Sequence, residues 1–294
     1  MNLRRPDPNH AHDHGLSHDL RTLADAQRAR RQALRWLAGA GALLPLWGCG
    51  GGSGGASSAA ATSASGTADT LSDAGSCAPI PAETAGPYPA DGSNAAPDGT
   101  LANALALTGI VRSDIRGSIA GATGTAAGVP LAVKLRIVDT ASACTGLAGY
   151  VVYLWHCDRE GRYSMYSSGV TDQNYLRGVQ ATDADGLASF ETVFPGCYSG
   201  RMPHIHFEIY RSLASAGGAT NRLHTSQLAL PPDVCEAVYA TTGYATSLAN
   251  LSRISFATDN VFSDGVTLQL ADITGSVAEG LIAELDVGIV AWHA

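Results

Sequence analysis

The run from Pro195 to Tyr210 constrains the fold more than any other part of the chain. Its second half, His204-Ile205-His206-Phe207-Glu208-Ile209-Tyr210, alternates with a period of two. β-Branched and aromatic residues suit a pleated strand. Successive strand side chains point to opposite faces, so His204 and His206 share one face and Ile205 and Phe207 the other. Two imidazoles then aim at one point with an apolar pair buried behind them. Imidazole is the commonest protein metal ligand, which makes a metal site one reading. Two unrelated polar residues on a solvated face is the other.

Partner strands are legible on both sides of this run. Residues 131–138 alternate cleanly, and 105–111, 150–157, 188–194, 252–257, 266–270 and 281–290 read as further strands. A short helix is expected around 233–239, and Asp183-Ala184-Asp185-Gly186 reads as a turn. It lacks the later ligands of a calcium loop. With 34 glycines and only 15% charged residues, the pattern predicts an all-β fold. The expected architecture is a β-sandwich of mostly antiparallel strands with long loops around the site.

The residues around the histidine pair narrow its chemistry. Tyr198 lies in a Pro/Gly-bounded loop just upstream, and Arg201 sits three residues before His204. Tyr163 follows the 150–157 strand across the turn Asp158-Arg159-Glu160-Gly161-Arg162. Two phenol oxygens and two imidazoles make a hard N/O donor set, which suits a ferric ion better than zinc.

At these residues the chain resembles the intradiol ring-cleavage dioxygenases, the catechol and protocatechuate dioxygenase family. The matching runs are Trp155-His156-Cys157-Asp158 through Gly161-Arg162-Tyr163-Ser164, then Pro195-Gly196-Cys197-Tyr198, then Arg201-Met202-Pro203-His204-Ile205-His206-Phe207. Weaker echoes are Thr84-Ala85-Gly86-Pro87-Tyr88, Arg112-Ser113-Asp114-Ile115-Arg116 and Asp259-Asn260-Val261-Phe262-Ser263-Asp264-Gly265. Together they span the chain from about Cys77 onward.

The resemblance implies a β-sandwich holding Fe(3+) through Tyr163, Tyr198, His204 and His206. It implies cleavage of a catechol-type ring with O2 to a muconate-type diacid. Tyr198 is the tyrosine that would leave the iron as substrate arrives, and Arg201 would stabilise charge on the ring carbon under attack. A surface ion pair is the alternative for Arg201. His156 is expected to support the site at most, and Tyr88 to line the pocket or pack. Tyr166 and Tyr175 fit the ligand spacing less well than Tyr163. From a different class, a non-catalytic extracytoplasmic β-sandwich binding an aromatic or carbohydrate ligand is the competing reading.

Upstream of this domain, expected at 77–294, the chain changes character. Arg30-Arg31 precedes the apolar stretch 36–47, too short for a membrane-spanning helix of about 20 residues. Residues 1–49 therefore read as an export signal of twin-arginine type, with an ordinary secretory signal as alternative. Leu46-Trp47-Gly48-Cys49 resembles a lipoprotein box, with Cys49 as a possible lipid anchor and simple release as the alternative. Residues 50–76 are rich in Gly, Ser, Ala and Thr and read as a disordered tether. The formal net charge of −8, with no basic cluster in the body of the chain, argues against nucleic acid as a partner.

Five cysteines follow Cys49: Cys77, Cys144, Cys157, Cys197 and Cys235. Export favours disulfides, and an odd count leaves at least one thiol free. Connectivity is open, although a bridge at Cys157 and Cys197 would rigidify the site.

Overall fold

The structure is a computed structural model and describes residues 77–291. The segments read as export signal, lipid anchor and tether lie outside the described residues. In chain order the strands are β1 (Asp91–Ala95), β2 (Leu101–Asn103), β3 (Pro130–Asp139), β4 (Thr145–Gly146), β5 (Val151–Trp155) and β6 (Arg177–Ala181). They continue as β7 (Leu187–Val193), β8 (His204–Tyr210), β9 (Arg222–Ala229), β10 (Asp272–Ser276) and β11 (Gly280–Ile289). Two short helices, α1 (Pro232–Tyr239) and α2 (Ala245–Leu251), separate β9 from β10. Pro232 opens α1, where its missing N–H costs nothing. Among the described residues no helix is long and apolar enough to cross a membrane.

One four-stranded sheet has the order β6-β5-β8-β9 and is antiparallel throughout. The other runs β10-β11-β3, with β4 and β7 both pairing β3. The β3–β11 pairing is parallel and the rest are antiparallel, so the sandwich expected from the alternation is present. Its core unites Leu131, Val133, Leu135 and Ile137 of β3 with Val152 and Leu154 of β5 and Ile205, Phe207 and Ile209 of β8. Each such side chain, fully buried, contributes about 1.5–3 kcal/mol. A one-residue slip of β8 would turn these apolar groups out and both imidazoles in, so burial fixes the register.

The outer face of the four-stranded sheet is covered as well. β5 and β8 are buried at every position. A second apolar cluster joins Val151, Tyr153 and Trp155 of β5 to Ala90, Ala102, Ala104 and Leu105 of the N-terminal segment. Tyr163 and Tyr166, from the loop after β5, belong to it too. The histidines therefore lie outside the sandwich core, beneath a cover made by the N-terminal segment and that loop.

Three expected strands are not strands. Residues 104–106 form a 3-10 turn, and Gly109 at φ +91° breaks the run that follows. At 252–257 the Thr258 hydroxyl accepts from Ser255 N and donates to Ser255 O, the competition that draws Ser and Thr into turns. At 266–270, Gln269 N and Leu270 N both donate to Val266 O. The turn at Asp183 is as expected, with its carboxylate accepting from Asp185 N and Leu187 N.

Candidate metal centre

β8 delivers both imidazoles to one point. His204 Nδ1 donates to Met202 O at 2.6 Å, which leaves the Nε2 lone pair free to accept. That nitrogen lies 3.1 Å from His206 Nε2 and 3.2 Å from the Tyr198 hydroxyl. His206 is held differently. Its ring stacks on Trp155 at 4.9 Å between centroids with a 4° interplanar angle, and Trp155 is its cross-strand partner. His206 Nδ1 has no hydrogen-bond partner. From above, Gly86 at φ +70° approaches so closely that an added Cβ would lie 3.4 Å from His206 Cε1.

Two loops bring in the tyrosines. Asp158 Oδ1 accepts from Glu160 N and Arg162 N, and Arg162 Nε donates to Asp158 Oδ2 at 2.9 Å. This turns the chain sharply, and Tyr163 follows it. Gly161, at φ +83°, sits where an added Cβ would come within 3.0 Å of Tyr198 Cβ, so glycine there lets the two loops touch. The Tyr198 loop is fastened to α2, with Cys197 N donating to Ser247 Oγ and Asn250 Nδ2 to Cys197 O. The Tyr163 ring lies 5.8 Å from that of Tyr198 and 6.2 Å from that of His206. Its hydroxyl is buried without a hydrogen-bond partner.

Burial dominates the electrostatics. It lowers the proton affinity of His204 and His206 well below the usual histidine value, with Arg201 adding to the effect on both. Both rings are thus neutral and have lone pairs to give. Burial pushes the Tyr198 phenol up to about 12 and raises Tyr163 well above its ordinary value. A phenolate in this site needs a cation beside it. Among the described residues no group of three or more His, Cys, Asp or Glu is suited to a metal, so an ion here depends on the phenols. Convergent imidazole nitrogens, an adjacent phenol and an orphaned buried hydroxyl fit a ferric ion.

Arg201 is not a surface ion pair. Its side chain is 11% exposed, and Nε donates to Asp259, whose carboxylate is fully buried, at 3.0 Å. Nη2 donates to Gln227 Oε1 at 2.6 Å, and Gln227 Nε2 donates on to Thr84 O. The guanidinium lies over the Phe262 ring. Asp259 also accepts from Met202 N at 2.6 Å and from Val261 N and Phe262 N. One carboxylate therefore orients Arg201 and the Met202 peptide, whose carbonyl in turn fixes the His204 ring. Gln227 and Asp259 were not singled out by sequence. Gln227 sits in an apolar strand and Asp259 in one of the weaker echoes of the family.

The remaining candidates are structural. His156 is closed off by Cys157 O at Nδ1 and the Thr192 hydroxyl at Nε2. The Tyr166 hydroxyl accepts from Ala90 N and donates to Asn94 Oδ1. The Tyr175 hydroxyl donates to Asp158. Tyr88, 37% exposed, packs its ring 5.1 Å from Tyr163 and 5.0 Å from Tyr166. The disulfide joins Cys77 to Cys144. No bridge links Cys157 to Cys197, since both are buried thiols along with Cys235. Cys157 Sγ donates to Gly196 O and Cys197 Sγ to Arg201 O, and burial pushes both thiols up.

Comparison with known proteins bears on the family and the fold. Residues 113–233 match the family model described as Dioxygenase. The intradiol ring-cleavage dioxygenase from Tetranychus urticae aligns in structure over 74% of this chain and 97% of its own. It does so at 25% identity and a TM-score of 0.57. Chlorocatechol 1,2-dioxygenase from Rhodococcus opacus is 27% identical over 151 residues, 44% of this chain. The chain spans about half the length of that enzyme, 52%. In sequence and in fold, then, the domain is similar to intradiol ring-cleavage dioxygenases.

Proposed function

We propose that the domain is an iron(III)-dependent intradiol dioxygenase acting on a catechol-type ring. The observation that carries this reading is the meeting of His204, His206 and Tyr198 within hydrogen-bond distance, beside the orphaned Tyr163 hydroxyl. Both atoms of O2 enter the diacid product, so the reaction needs no external reductant. A ferric ion held by these four side chains would act as a Lewis acid, easing loss of the catechol protons.

The chain's own groups supply the rest. Tyr198, hydrogen-bonded to His204, is placed to hold or take a substrate hydroxyl proton. Arg201, fixed by Asp259 and Gln227, presents a rigid positive charge beside the site, where negative charge on the ring is stabilised. The Tyr88 ring, which packs on Tyr163 and is partly exposed, suits contact with a flat aromatic guest. Export of this enzyme, through the twin-arginine-like segment and with lipidation at Cys49, is a further part of the proposal. It rests on the sequence alone.

Metal analysis and a visible spectrum of the purified protein test the reading. A coloured ferric protein whose absorption band shifts on adding catechol, with O2 uptake, is the expected result. A colourless protein that takes up neither iron nor O2 overturns it.

A further inference from the structure

Arg177 is one of the largest fully buried side chains, 1% exposed, yet among the described residues no carboxylate pairs with it. A buried charge without a counter-ion is costly unless every donor is satisfied. Here each is. Nε donates to Ser164 Oγ at 3.1 Å. Nη1 donates to Pro89 O at 2.9 Å and the Tyr153 hydroxyl at 3.2 Å. Nη2 donates to Tyr88 O and Ser164 O, both at 3.0 Å. These five bonds use the five N–H groups a guanidinium has. The cation also lies 5.5 Å from the centroid of the Tyr166 ring, within cation–π range.

The identity of the acceptors matters more than their number. Ser164 directly follows Tyr163, and Tyr88 and Pro89 belong to the segment that covers the site. A single nitrogen, Nη2, holds a carbonyl from each. The Tyr88 and Tyr163 rings pack on one another at 5.1 Å between centroids, so that contact depends on two pieces of chain fastened to one side chain.

We propose that Arg177 is a positioning residue that couples the Tyr163 loop to the Tyr88 segment, so that both move as one unit and the packing of Tyr88 on Tyr163 beside the site is fixed. The functional part rests on the dioxygenase reading, and the coupling itself does not. A lysine keeps the charge but has three donors on one point, so Arg177→Lys loses at least two of the five bonds.

Hydrogen exchange on the full chain as purified, with iron content measured alongside, tests the coupling. In Arg177→Lys, amides of residues 84–95 and 163–168 are expected to exchange about tenfold faster together, while β8 stays protected. Guanidinium added to Arg177→Ala should restore protection in both segments. In iron-loaded enzyme, the variant should retain its iron while kcat falls and KM for ring-substituted catechols changes.

Acceleration spread evenly over the domain, or confined to one of the two segments, overturns the proposal. Should Arg177→Lys fail to fold, Ser164→Ala removes one acceptor and leaves the arginine in place. The same paired acceleration, smaller, is then expected, and acceleration limited to the 163–168 loop overturns the coupling. Purified protein that never acquires iron would refute the dioxygenase reading and leave the exchange result standing.

Discussion

Four alternate residues of β8, His204, His206, Glu208 and Tyr210, line one outer face of the same strand, yet the two ends of that line behave in opposite ways. At the far end both β8 side chains, Glu208 and Tyr210, have partners. Tyr210 donates to Glu208 Oε2 at 2.6 Å, and Arg222 reaches both Glu208 and Asp91 at 3.2 and 3.1 Å. At the near end, His206 Nδ1 and the Tyr163 hydroxyl have no partner, and two imidazole nitrogens face each other. Buried polar groups are normally satisfied within the protein. The far end obeys this rule and serves structure. The near end breaks it in the way expected of a site that awaits something from outside.

The largest effect should come from removing donors at the near end. His206→Ala is expected to abolish iron binding, read as metal content, whereas Tyr198→Phe should alter the visible band and reduce turnover. Glu208→Gln at the far end should leave the iron in place. Loss of iron from that variant would erase the contrast between the two ends.

Asp259→Asn comes next. It strips the buried Arg201 of its counter-ion, and breaking such a pair costs about 3–5 kcal/mol. Chemical denaturation should register that loss, and kcat should fall because Arg201 and the Met202 peptide lose their anchor.

A smaller effect separates the ends by pH. Burial, with Asp91 nearby, raises the Glu208 carboxyl from its ordinary 4.5 to about 7, while Tyr210 and Arg222 pull it down. The folded state therefore holds a proton that the unfolded chain has released between these values. Its contribution is complete below about 4.5 and is lost as pH rises to about 7. Stability of Glu208→Gln relative to the parent should accordingly climb across that window and level off above it. A difference that does not vary with pH would contradict the assignment.

The smallest effect on the site is expected of His156→Ala. Its ring bonds only Cys157 O and Thr192, so iron content should be unchanged while stability falls by about 1–3 kcal/mol, the price of an orphaned buried partner.

What could be read in advance follows the range of the interactions. Alternation is local, so β3, β5, β7, β8 and β11 and the shared face of His204 and His206 were visible in the chain. Tyr163 and Tyr198 stood out by their loops beside the strands, but only the resemblance made them a ligand set, because no periodicity links residues delivered by separate loops. Asp259 and Gln227 meet Arg201 across 58 and 26 positions, and the five bonds of Arg177 reach as far as 89. Contacts of that kind leave no mark on neighbouring residues. The mistaken strands at 252–257 and 266–270 were apolar enough to alternate, but hydroxyl and backbone bonds within a few residues curled them into turns.

The Cys77–Cys144 bond has a mechanical consequence. It joins the first described residue to the turn between β3 and β4, so tension arriving along the chain from upstream enters the sandwich there. The stretch beyond it, from Ile80 through Tyr88, is left slack under such a load. A load applied to the chain at Cys77 would thus leave the packing of Tyr88 on Tyr163 undisturbed while that one covalent link stays oxidised.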